Sequence, residues 1–300
     1  MKKVKVGIVG FDTSHSHVFP AYIRQHHGKE HPEYLGIEFP VGWPGDPATA
    51  VHPENLAETH KKIAELGIRA EEDLDRVVAE SDVIFLESVN GGTHLELARR
   101  ILPAGKPTYI DKPFANSYED ARAIAELIAR HRVPCWHSSS LRFEPVMCAA
   151  IAEAKGEKLE ADVYGPTPLF EKGRGIFYYG IHAAEMVSRI MGRGLKGVRF
   201  LEQPDGEIVV GLWEDGRRAV FRGRRSAYAF GGTVHHAKGS VPFQAKGGFY
   251  EAFTRELAEF CLTGKAPVPI EDTLEVIAFL EAAERSKAAG GAEVSVSSFA

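Results

Sequence analysis

The 300-residue sequence predicts an α/β chain: a doubly wound parallel sheet at the N-terminal side, then an α+β domain with a mainly antiparallel open sheet. Two observations carry this. Short apolar runs alternate with amphipathic helical periods from Val4 to about residue 140. From Leu159 several strand patterns follow one another with a single helix among them. The change of pattern sets the expected domains at residues 1–140 and 141–300.

Taken in order, Val4 to Val9 is a β-branched apolar run ending at Gly10, the signature of a strand buried on both faces. Asp12-Thr13-Ser14 follows as a helix start, because such side chains accept hydrogen bonds from first-turn amides. A proline-rich stretch from His31 to Pro53 holds one weak strand pattern, Ile37 to Val41. Leu56, Ile63 and Leu66 mark a helix, Asp82 to Leu86 a buried strand, and Thr93 to Leu102 a helix closed by Pro103. Thr108 to Ile110 is the next strand. Asn116 and Glu119 form a capping-box pattern before the helix Tyr118 to His131, and Val133 to Ser140 is the last strand of this half.

Strand patterns then run Leu159 to Tyr164, Gly197 to Leu201, Glu207 to Trp213 and Arg218 to Arg222, the last two joined by the turn dipeptide Asp215-Gly216. His182 to Met191 is the intervening helix, stopped by Gly192. Phe249 to Leu262 and Thr273 to Ala289 are helical, the second closed by Gly290-Gly291.

A hydrophobic share of 44% and a charged share of 26% are those of a globular soluble chain, and a net charge of -5 gives no electrostatic reason to bind nucleic acid. Arg217, Arg218, Arg222, Arg224 and Arg225 read as a solvated hairpin edge, with a pocket for an acidic substrate group as the alternative. The three scattered cysteines lack metal-ligand spacing and argue for a reducing compartment. The N-terminal apolar run stops at Gly10, too short for a signal peptide, and no stretch is long enough to span a membrane. The expected location is the cytoplasm.

The first strand–helix junction reads Gly7-Ile8-Val9-Gly10-Phe11-Asp12-Thr13-Ser14-His15. A Rossmann-type dinucleotide loop wants G-x-G-x-x-G, so that backbone and helix N-terminus receive a pyrophosphate. Aligned on Gly10, Asp12 and His15 stand where the second and third glycines belong. Asp12 is positioned to cap the helix itself, which sets an internal anion where the cofactor's anion would lie. An acid after the second strand, for the ribose hydroxyls, is offered by Glu38 or Asp46. NAD and NADP are not distinguished by these residues.

Downstream stand Asn90-Gly91-Gly92-Thr93-His94, Asp111-Lys112-Pro113, Arg142-Phe143-Glu144-Pro145 and Gly180-Ile181-His182-Ala183-Ala184-Glu185. A C-terminal pattern runs from Phe253 through Gly264-Lys265-Ala266-Pro267 to Ala283-Glu284-Arg285-Ser286. Together these resemble the family of glucose-fructose oxidoreductase and inositol dehydrogenase over almost the whole chain. The resemblance implies an NAD- or NADP-dependent oxidoreductase that moves hydride to or from a sugar, polyol or related carbohydrate, as a dimer or tetramer. It implies Lys112, His182 and Tyr178 as catalytic residues. Gly10, Phe11, Asp12, Thr13, Ser14, His15, Asn90, His94, Asp111 and Lys112 would lie on the cofactor, and Arg142, Tyr179 and His137 on the substrate.

The departures are specific. The family usually has an aspartate four residues before the histidine, where this chain has Tyr178, and Glu185 replaces an aspartate three residues after it. The altered glycine loop keeps two alternatives open: a non-redox lyase, epimerase or hydrolase of the same fold, or a silent sugar-binding protein. Imidazoles and carboxylates at Asp12, His15, His17, His94, His137 and His182 are ligand types for zinc or manganese, but no metal is assigned, and His235-His236 belongs to a strand or loop.

Overall fold

The computed structural model describes residues 3–26, 31–154, 159–170 and 174–299. The chain divides into two compact units. The first is Met1–Asn116, Asp120–Ser138 and Phe253–Ile270; the second is Ser117–Glu119, Ser139–Ala252 and Glu271–Ala300.

The first unit alternates strand and helix as its apolar periods require. β1 (Val4–Val9) leads to α1 (His15–Gln25), β2 (Ile37–Trp43) to α2 (Leu56–Glu65), and β3 (Arg69–Ala70) to α3 (Leu74–Glu80). β4 (Val83–Leu86) is followed by α4 (His94–Ile101), β5 (Thr108–Ile110) by α5 (Tyr118–His131), and β6 (Cys135–His137) closes the series. All pairings are parallel, in the order β3-β2-β1-β4-β5-β6. Strand order reverses between β1 and β4, so the loops after those strands border the crevice where such sheets bind ligands. The central strands β1 and β4 are mostly β-branched and apolar where both faces are covered: Val6, Ile8, Val9, Ile84, Phe85 and Leu86 are all buried.

Two elements of this unit lie outside the sequence reading. The helix α3 spans seven residues, opened by Asp73, whose side chain accepts from the Asp75 amide, and it buries only Leu74, Val77 and Val78. Two turns give too little periodicity to register. The strand β3 is two exposed residues with no apolar pattern. The structure also ends β6 at His137, short of Ser140, because the Ser139 side chain accepts from the Leu141 amide and starts a 3-10 turn over Ser140–Phe143.

The second unit opens with α6 (Pro145–Glu153), β7 (Glu160–Pro166) and α7 (Gly180–Met191). β8 (Leu195–Gln203), β9 (Gly206–Trp213), β10 (Arg218–Arg224), β11 (Gly231–His236) and β12 (Gly239–Gln244) follow. Next come α8 (Phe249–Thr263), most of which belongs to the first unit, then α9 (Ile270–Ala288) and β13 (Val294–Ser295). The sheet order is β12-β11-β7-β10-β9-β8-β13. Its pairings are antiparallel except β7 with β10. The β9–β10 hairpin turns at Asp215-Gly216, with Gly216 at φ +90°, where a side chain would be strained. On β10, Arg218, Arg222 and Arg224 alternate outward, while Arg217 pairs with Asp215 and Arg225 with Glu207. No helix among the described residues is long and apolar enough to cross a membrane.

Candidate functional site

The expected cofactor residues of the first unit gather at the carboxyl edge of its sheet. Gly10 has φ +99°, and a Cβ there would lie 2.5 Å from the Ser88 nitrogen, so both backbone and space demand glycine. The turn is pinned to the end of β2: the Gly10 amide donates to the Trp43 carbonyl (2.9 Å) and the Phe11 amide to that of Pro44 (3.0 Å). The Phe11 side chain faces the interior, packed edge-on against His60 and over Gly42, where a Cβ would meet its ring at 2.6 Å. Its contribution is therefore packing under the loop.

Asp12 does not cap α1. Its Oδ1 accepts from the Val89 amide (3.2 Å), and burial raises its pKa above the ordinary carboxylate value. Thr13 takes the capping task, accepting from the His15 amide at 3.3 Å, while Ser14 is exposed at the helix start. The first turn of α1 holds no acid. A small cleft beside the loop is lined by Asp12, Asp46, Thr49, His60 and Ser88 among others. Asp46 thus stands at the carboxyl edge, where its Oδ1 accepts from the Ala48 amide, whereas Glu38 pairs with Lys5 near the opposite end of β2.

His15, expected on the cofactor, turns inward. Its Nδ1 lies 2.7 Å from Asp111 Oδ2 and its ring stacks on Phe19. Asp111 is fully buried at the end of β5 and also accepts from the Tyr109 hydroxyl at 2.7 Å. Burial pushes its carboxyl up, but the His15 ring, Lys112 and Tyr109 outweigh that and hold it well below the usual carboxylate range. Lys112 follows, 6% exposed, with a cis bond to Pro113. Burial lowers the Lys112 pKa, and the Asp111 and Asp12 carboxylates oppose that shift. A lysine moved this way can donate and accept a proton closer to neutrality than a solvated one.

Other expected residues tie this edge together. Asn90 donates to the Thr49 carbonyl (3.2 Å) and accepts from the Gly92 amide (3.0 Å) and the Asn116 amide group (3.2 Å). It thereby links the loops that follow β2, β4 and β5. His94 and His137 depart from their expected ligand-facing places. His94 is fully buried, with Nε2 2.6 Å from the Ser88 carbonyl and Nδ1 3.1 Å from that of Phe114. Burial lowers its pKa, the two carbonyls oppose that shift, and the ring braces two loops. His137 is also fully buried, its Nδ1 3.0 Å from the Ile110 carbonyl. Glu87, which sequence reading missed, ends the β4 segment fully buried with neither carboxyl oxygen hydrogen-bonded, and burial, with Asp111 nearby, raises its pKa far above the ordinary value. A lone acid after an apolar strand is the signal that marks it.

In the second unit His182 sits in the first turn of α7, 7% exposed. Its Nδ1 lies 2.6 Å from Ser139 Oγ, and the rings of Tyr179 and Phe230 meet it edge-on at 5.1 and 5.6 Å. Ser139, inside a run of three serines after β6, is the second residue sequence reading missed. Tyr178 is buried, its ring against Phe170 and Tyr179. Tyr179 is half-buried, and burial raises its hydroxyl pKa, making it a weaker acid. Arg142 departs from its expected substrate role: Nη1 donates to Glu185 (2.9 Å) and Ser188 (3.2 Å), and Nη2 to Asp272 (2.9 Å). With its guanidinium so engaged and only 5% of the residue exposed, Arg142 braces α7. His235 and His236 lie on β11, and among the described residues no three histidine, cysteine, aspartate or glutamate side chains gather as a metal site.

Residues 4–139 match the model of an oxidoreductase family with an NAD-binding Rossmann fold. An uncharacterised oxidoreductase of Escherichia coli (strain K12), YhhX, is 25% identical over 169 residues, 50% of this chain and 49% of that one, so the match spans about half the length of that curated relative. Among solved structures, a probable dehydrogenase from Thermotoga maritima superposes with a TM-score of 0.79 at 17% identity, covering 99% of this chain and 100% of that one. A myo-inositol dehydrogenase from Lactobacillus casei, in complex with NAD(H) and myo-inositol, gives 0.76 at 15% identity, covering 98% and 96%. At such identities the superpositions speak for the fold. Residues 4–139 thus carry the NAD-binding Rossmann domain of this oxidoreductase family, and the chain shares the fold of these dehydrogenases.

Proposed function

We propose that the protein is an NAD- or NADP-dependent oxidoreductase that transfers hydride to or from a carbon of a sugar, polyol or related carbohydrate, with Lys112 as its proton-handling residue. The observation that carries this is Lys112 itself: a buried lysine at the end of β5, its pKa lowered by burial, at the carboxyl edge of a dinucleotide-binding sheet.

The residues present fit a dinucleotide. Gly10 keeps the turn close, the start of α1 carries no acid, and the Asp12 carboxyl is drawn to the Val89 amide and shifted toward its neutral form, which eases the conflict with a diphosphate. Gly10, Thr13, Ser14 and Asn90 would hold the cofactor, with Asp46 toward the ribose. When bound, the nicotinamide accepts or supplies the hydride.

Lys112 takes the proton from the reacting hydroxyl during oxidation and returns it during reduction. Asp111, held by His15, together with Asp12 sets negative charge near the ammonium and opposes the loss of its proton. His182, with the Tyr179 ring edge-on to it, is the second unit's candidate for binding a substrate oxygen. Assembly as a dimer or tetramer through the open sheet of the second unit is part of the same proposal.

One observation favours a second reading. The His15–Asp111 pair and Asp12 occupy the positions of two loop glycines, an arrangement suited to acid–base chemistry without hydride transfer. Titration of the purified protein with NADH and NADPH, followed by ligand fluorescence, decides between them. Saturable binding of one cofactor is expected; no binding of either at about millimolar concentration overturns the oxidoreductase reading in favour of a lyase, epimerase or hydrolase.

A further inference from the structure

We propose that Ser139 is a positioning residue that fixes the tautomer of His182, so that the imidazole acts as a neutral Nε2–H donor to a substrate oxygen. This rests on the reading of His182 as a substrate-binding residue.

The geometry begins with the serine's other bond. Ser139 stands at the start of the 3-10 turn Ser140–Phe143, where its Oγ accepts from the Leu141 amide at 3.1 Å. That amide occupies one lone pair and fixes the oxygen in place. The hydroxyl's own proton is then assigned to the 2.6 Å contact with His182 Nδ1. A nitrogen that accepts carries no proton, so the neutral ring holds its hydrogen on Nε2.

The contact is one rung of a pair. Three residues on, Arg142 Nη1 donates to Glu185 at 2.9 Å, so Ser139 and Arg142 meet His182 and Glu185 at the same spacing. One turn of 3-10 helix lies in register with one turn of α-helix, and the second rung is a buried ion pair. The ring plane is clamped by Tyr179 and Phe230 edge-on. Ser139 is fully buried, so water does not compete for the contact.

The chemistry follows from what the partner is. A carboxylate on Nδ1 would favour the imidazolium and a proton-shuttling ring. A hydroxyl donor stabilises the unprotonated Nδ1 instead, and the residue four positions before His182 is Tyr178, which brings no carboxylate. A ring in that tautomer presents its Nε2–H to the oxygen, as neutral imidazoles do in other enzymes.

The test is a long-range proton–nitrogen correlation spectrum of the intact protein with labelled histidine, the His182 signal identified by its loss in His182→Asn. Expected are a bare Nδ1 and a protonated Nε2. Ser139→Ala should mix or invert the tautomers, and Ser139→Thr, which keeps the hydroxyl, should restore them. Turnover in Ser139→Ala should fall about tenfold to a hundredfold, mainly in kcat, with recovery in Ser139→Thr. A wild-type spectrum showing protonated Nδ1, or an unchanged tautomer in Ser139→Ala, overturns the proposal. The tautomer reading needs no cofactor, so failed NADH binding alongside the expected tautomer refutes the oxidoreductase reading and leaves the Ser139 assignment standing.

Discussion

Replacing Glu87 by glutamine should stabilise the protein more with every unit of rising pH above the ordinary carboxylate range. Glu87 is fully buried, neither of its carboxyl oxygens is hydrogen-bonded, and its pKa is raised far above the ordinary 4.5, first by burial and then by Asp111. The folded protein therefore holds a proton that the unfolded chain releases. Its contribution is fully present below the unfolded pKa and is lost as pH climbs toward the folded value, at about 1.4 kcal/mol per pH unit. Glutamine keeps the shape and polarity without a titrating proton, so the difference between the two proteins isolates this loss. With about 2 to 4 °C of Tm per kcal/mol for a domain of 150–250 residues, the Tm of Glu87→Gln minus that of wild type should grow by about 3 to 5 °C per pH unit. The growth should continue until Glu87 ionises in the folded state. The assay is a pair of calorimetric melts at matched ionic strength from about pH 4.5 upward. A difference that stays flat from about pH 5 to 8 would show that the folded state does not hold the carboxyl neutral.

Two further outcomes follow from the same edge of the sheet. Asp111→Asn removes the anion from a buried pair with His15 and should cost about 3 to 5 kcal/mol at neutral pH by denaturant unfolding. Because the folded pKa of Asp111 is depressed, that difference should be complete above the ordinary carboxylate pKa and shrink as pH falls below it; a pH-independent difference refutes a carboxyl held ionised by the fold. Lys112→Met should abolish turnover with an unchanged circular dichroism spectrum. The basic limb of wild-type kcat/KM should fall below pH 10.5, the ordinary lysine value, because burial lowers the pKa; residual activity with the same limb would remove Lys112 from the mechanism.

The sequence by itself determined the parallel sheet and the places of its strands, because residues buried on both faces must be apolar and helices between them must show a 3.6-residue period. It also marked Gly10, Lys112 and His182 by position, since strand ends and helix starts can be read locally. Short or outward-facing elements such as α3 and β3 escaped because they bury too little to leave a pattern. What each site residue touches was decided only by the tertiary structure. His15 finds Asp111 across 96 positions, Ser139 finds His182 across 43, and Arg142 finds Asp272 across 130. Charge and hydroxyl partners at such separations leave no periodicity behind, so a histidine in place of a loop glycine and an arginine near a pocket looked alike in the sequence. Folding turned the first into the hydrogen-bond partner of a buried carboxylate and the second into a brace on α7. Burial, a property of the folded state alone, raised the pKa values of Asp12 and Glu87 and lowered that of Lys112.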